Sequence, residues 1–124
     1  MEYLEKTPLG NLMYVRTLLD VFGHLPLTIE YTNQYGDTVL VEWVNLDDDK
    51  YDVYFMYKIE METLSKFFRK DINHLTLIKS AIDDKYYEFK PGKSKSKFIS
   101  LNYGGLRHDG LPKPESFYDK DYWL

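Results

Sequence analysis

Residues 38–68 change hydrophobic period once, and that change dictates most of what the chain can fold into. From Thr38 to Val44, Val39, Val41 and Trp43 fall on one side of an extended chain and Leu40 and Val44 on the other. Both faces are largely apolar, so this strand lies inside a sheet or carries a helix or loop on its second face. Asp47, Asp48 and Asp49 then interrupt the pattern with turn-forming residues. Alternation resumes from Tyr51 to Ile59: Tyr51, Val53, Phe55, Tyr57 and Ile59 share one face, Asp52, Tyr54, Met56 and Lys58 the other. A hairpin follows, whose return strand has one core face and one partly wet face. Next comes a helical period, with Met61, Leu64 and Phe68 as the stripe, Phe67 beside it, and Glu60, Glu62, Lys66, Arg69 and Lys70 opposite. Acidic residues lead and basic residues close, as the helix dipole favours. The stripe predicts a helix lying on the sheet.

The flanking segments supply partners for this hairpin. Residues 1–7 read as a polar arm. Residues 9–22 fit a strand or a helix, and Pro8-Leu9-Gly10, a poor helix start, selects the strand. Gly23-His24-Leu25-Pro26 turns into a strand carrying Leu27, Ile29 and Tyr31, and Asn33-Gln34-Tyr35-Gly36 turns into the central strand. The first four strands thus form an antiparallel meander. Beyond the helix, Asn73 is an N-cap for a short second helix with His74, Leu75, Leu77, Ile78 and Ala81. Residues 85–89 read as a fifth strand, 91–96 as a lysine- and serine-rich loop, 97–102 as a weak last strand, and 103–124 as an irregular aromatic tail. The predicted fold is α+β: one domain, an antiparallel sheet of about five or six strands, one amphipathic helix and one short helix on one face.

The run Val41-Glu42-Trp43-Val44-Asn45-Leu46-Asp47-Asp48-Asp49, the aromatic strand ending Tyr57-Lys58-Ile59 and the helix pair after it resemble a family of small bacterial proteins defined only as a domain of unknown function. The resemblance spans roughly residues 8–89. Phe55 stands where family members tend to carry a tryptophan or similar aromatic, and the last third of the chain departs from the pattern. The resemblance implies an intracellular single-domain protein of a bacterium or phage, and an accessory role in a system such as defence or toxin control. It carries no catalytic residues over.

Composition narrows the chemistry. At 124 residues the chain is long enough to bury a core without staples, and with no cysteine it has no disulfide, thiolate metal site or thiol nucleophile. No apolar run approaches the ~18 residues of a membrane span and the N-terminus is not a signal peptide, so a soluble cytoplasmic protein is expected. The net charge of −4 is uneven: residues 1–50 hold three basic and nine acidic residues, residues 85–124 eight and five.

Four features bear on function. Asp47-Asp48-Asp49 lacks the alternating ligand spacing of a calcium loop and reads as a solvated turn, and His24, His74 and His108 show no metal-ligand spacing, so neither metal nor cofactor is expected. Lys90, Lys93, Lys95 and Lys97, flanked by Phe89 and Phe98 with Tyr86 and Tyr87 upstream, have the composition of a nucleic-acid groove, but the acidic chain favours a solubilising loop. Tyr103-Gly104-Gly105-Leu106-Arg107-His108-Asp109-Gly110 matches no P-loop or dinucleotide fingerprint and reads first as a structural loop, but it is able to present a guanidinium, an imidazole and backbone amides to an anion. With Lys93 and Lys95, its Tyr103, Arg107 and His108 make the candidate site for a nucleotide-like or other anionic small ligand. The fourth feature is the aromatic load: twelve tyrosines and two tryptophans exceed what this core hides, so some are exposed, and such residues are enriched at protein interfaces. Phe117, Tyr118, Tyr122 and Trp123 are the candidates, with folding back onto the chain's own sheet as the alternative. No nucleophile elbow or serine–histidine pairing points to an enzyme. The leading expectation is a non-enzymatic protein-interaction or regulatory module, binding a protein partner or a second copy of itself.

Overall fold

A computed structural model describes residues 3–21, 25–46, 51–91, 97–106, 111–112 and 116–118. Seven strands run in sequence order as one antiparallel meander: β1 (Tyr3–Thr7), β2 (Gly10–Val21), β3 (Leu25–Thr32), β4 (Thr38–Leu46), β5 (Asp52–Ile59), β6 (Tyr86–Phe89) and β7 (Ile99–Leu101). Helices α1 (Met61–Phe68) and α2 (His74–Lys79) intervene between β5 and β6. The α+β class agrees with the sequence reading, but the sheet has seven strands, not five or six. The added strand is β1, where a polar arm was expected. Its mixed residues carry little strand signal, and its pairing with the start of β2 supplies the order.

Both faces of the sheet are buried, for different reasons. On one face Leu40, Val44, Val53, Phe55, Tyr57 and Ile59 pack against Leu64 and Phe67 of α1 and Leu77 and Ile78 of α2. On the other, Leu12, Ile29, Tyr31, Val39, Val41, Tyr54, Met56 and Phe89 form a second cluster, with Leu4, Leu9 and Phe98 from opposite ends of the meander packed against it. The sheet curls, so residues near both its edges close over that face. This corrects the expected wet face of β5, since Tyr54 and Met56 are buried.

The helix also sits differently from its periodicity. Leu64 and Phe67 are its buried residues, Phe68 is partly buried, and Met61 is 58% exposed. At 100° per residue the buried centre is turned about 60° from the Met61–Leu64–Phe68 stripe. Only Glu60 separates β5 from α1, so the sheet's end, not the helix's own pattern, sets the rotation. Asn73 caps α2 as expected, its Oδ1 accepting from the Thr76 N–H at 2.7 Å.

Candidate functional site

Of the candidate site residues singled out from the sequence, Tyr103, Phe117 and Tyr118 are among the described residues. Arg107, His108, Lys93, Lys95, Tyr122, Trp123, His24 and the Asp47-Asp48-Asp49 turn lie outside the described residues. Tyr103 serves the fold: it begins a 3-10 turn, its N–H donates to Asp84 Oδ1 at 2.9 Å, and its ring lies 6.4 Å from Tyr86 and 5.5 Å from the Lys79 ammonium. Tyr118 packs on Phe67 and Phe68 of α1 at 5.4 and 5.0 Å between ring centres, so this part of the tail folds onto its own domain, while Phe117 is exposed. Phe89 and the partly buried Phe98 pack on each other in a tilted arrangement at 5.3 Å between ring centres at the second cluster, and Tyr86 is buried. Those three aromatics beside the lysine-rich segment are therefore not free to stack on bases.

Sequence reasoning missed a buried polar cluster that joins four elements. Glu42 of β4 faces the helices, between Leu40 and Val44, and is itself buried. Its Oε2 accepts from the Tyr57 hydroxyl at 2.7 Å, and its Oε1 accepts from the Thr28 hydroxyl. His74 Nε2 lies 3.0 and 3.2 Å from the two carboxylate oxygens and 3.3 Å from Thr28 Oγ1. Facing three oxygens, Nε2 is the ring nitrogen that carries the proton. In a nucleophile–base–acid relay the acid holds the opposite ring nitrogen. Here acid and hydroxyl share one nitrogen in a buried site, and the arrangement acts as a cross-link between β3, β4, β5 and α2. The His74 backbone N–H donates to the Ser116 carbonyl at 2.7 Å, and its ring lies 5.6 Å from Phe67, so the C-terminal segment and α1 are tied to the same point. Glu42 and His74 are 32 positions apart, and the only sequence signal was a carboxylate on an otherwise apolar strand face.

The buried tyrosines make stability depend on high pH. Burial, then the neighbouring Glu42 carboxylate, raises Tyr57 well above the ordinary tyrosine value, and burial with Asp84 nearby pushes Tyr86 up to about 12. The fold disfavours the phenolate, whereas the unfolded chain ionises near pH 10. The stabilisation is therefore complete below pH ~10 and is lost as pH rises towards 12 and beyond. The urea midpoint is expected to fall steadily between pH ~9.5 and 11.5; a constant midpoint across that range would contradict the burial of these hydroxyls.

Among the described residues, one run of consecutive large apolar side chains is exposed. Met13, Tyr14 and Val15 of β2 are consecutive and 59%, 43% and 44% exposed. β1 pairs with β2 only from Gly10 to Met13, so from Tyr14 onwards β2 is paired on its β3 side alone among the described residues. Its register with β3 shifts between Tyr14 and Arg16 and again between Thr17 and Leu19, which bends the strand. Beside this edge, Arg16 donates to the buried Glu30 at 2.7 Å and lies 4.6 Å over the Phe68 ring, so its charge is already engaged.

Among the described residues no group of three or more histidines or acidic residues is placed to hold a metal ion, and no helix is long and apolar enough to cross a membrane. No protein-family model, curated protein or solved structure matches the chain.

Proposed function

We propose that the protein is a non-enzymatic interaction module that assembles through the outer half of β2, and that the polypeptide it pairs with is a second copy of itself. The observation that carries this reading is the exposed Met13-Tyr14-Val15 run on a strand whose outer edge is unpaired beyond Met13 among the described residues. An open edge offers backbone donors and acceptors to an added strand, and aromatic and methionine side chains are enriched where interfaces exclude water. A second β2 brings the same apolar residues in the opposite direction, which gives a closed two-fold contact. The bulges bend the edge, so a strand of matching bend pairs with it while indiscriminate sheet extension is resisted. The resemblance to the uncharacterised bacterial family is the ground for placing such a module in an accessory or regulatory role.

Light scattering across a concentration series tests this. The wild-type chain is expected at twice 14.8 kDa in the micromolar range, and Val15→Lys at 14.8 kDa with an unchanged circular-dichroism spectrum, because that side chain is exposed, and with a urea midpoint that no longer rises with protein concentration. A wild-type monomer up to about 1 mM would overturn the proposal.

A further inference from the structure

We infer that the cleft where the β1–β2 and β3–β4 turns meet binds a small phosphorylated ligand whose ring stacks on Tyr35. The cleft holds about 410 Å³, within the range of small-molecule sites, and its walls include Lys6, Asn11, Gln34, Tyr35, Asp37 and Lys58. The two turns are locked together. Gln34 Oε1 accepts from the Asn11 N–H at 2.8 Å, Asn33 Nδ2 donates to the Leu9 carbonyl at 2.8 Å and to Asp37 Oδ2 at 3.0 Å, and Asn33 Oδ1 accepts from the N–H groups of Tyr35 and Asp37. Gly10 has φ +103°, a backbone conformation that favours glycine, and a Cβ there would stand 2.5 Å from Gln34 Oε1 and displace that side chain from the Asn11 N–H. The walls are therefore set before any ligand arrives.

The chemistry of those walls selects an anion. Lys6 and Lys58 bring two cations from different elements, and neither has an ion pair among the described residues. Lys6 adopts φ +56°, a backbone conformation that few non-glycine residues take up. Asp37 is the sole carboxylate of the lining, and its Oδ2 is engaged by Asn33. The cleft is thus locally positive on a chain of net charge −4. Two ammonium groups match a phosphoryl dianion, while Tyr35, 76% exposed at the rim, offers a ring face with no aromatic partner among the described residues.

Amide NMR titration of the full chain with adenosine monophosphate, inorganic phosphate and adenosine tests the site. Adenosine monophosphate is expected to shift the Lys6, Asn11, Gln34 and Tyr35 amides saturably. Inorganic phosphate should move the same amides with about tenfold weaker affinity, and Tyr35→Ala should reduce the nucleotide to that level. The double variant Lys6→Gln/Lys58→Gln, with its spectral dispersion kept, should weaken nucleotide binding at least about tenfold. Absence of shifts at about 10 mM of either phosphate, or equal binding by the double variant, would overturn the inference. Equal affinity for adenosine and its monophosphate would do so too.

Discussion

Replacing Glu42 with alanine is expected to lower stability by about 3–5 kcal/mol at pH 7, one of the two largest losses a single substitution should cause here. The carboxylate accepts from the Tyr57 and Thr28 hydroxyls and from His74 Nε2, all in a site closed to water. Its removal strands three donors at once. Each unsatisfied buried group costs about 1–3 kcal/mol, and local relaxation recovers part of the sum. Glu42→Gln keeps the shape but turns an N–H₂ group towards donors, and should cost about 1–3 kcal/mol. Tyr57→Phe and Thr28→Val remove one donor each and should cost about 1–2 kcal/mol, because Glu42 retains other partners. Urea unfolding followed by tryptophan fluorescence measures all four. A loss under 1 kcal/mol for Glu42→Ala would mean that the cluster does not join the sheet to α2.

Phe67→Ala is the second large effect, at about 3–5 kcal/mol, against less than about 1 kcal/mol for Met61→Ala. Phe67 is fully buried and its ring lies 5.6 Å from His74, 6.2 Å from Phe68 and 5.4 Å from Tyr118. Truncation therefore opens a cavity where the sheet, both helices and the C-terminal segment meet. Met61 is largely in solvent, with a 3.1 Å contact from the Thr38 hydroxyl to its sulfur. The same unfolding experiment ranks the two. A larger loss at Met61 would mean that α1 rests on the stripe its periodicity suggests.

The helix illustrates a wider limit. Its charge order, its position after β5 and its apolar content are local properties, and each was readable from the chain. Which third of its circumference is buried is not local, because a linker of one residue lets the end of the sheet turn the helix by more than its apolar stripe resists. The strand carrying Tyr54 and Met56 shows the same thing from the other side. Alternation told which residues share a face, but the curl that buries both faces comes from packing Leu4, Leu9 and Phe98 onto one cluster from strands far apart in the chain.

By itself, the sequence determined the α+β class, the order of the elements from β2 to β7, the cap on α2 and the antiparallel meander. Period, turn chemistry and capping act over a few residues and need no distant partner. Tertiary structure alone decided the seventh strand, the rotation of α1 and the joining of Thr28, Glu42, Tyr57 and His74. It also decided the open edge of β2 and the cleft between two turns. Each depends on which distant residues meet, and hydrogen bonds between side chains 14 to 46 positions apart leave no period in the chain.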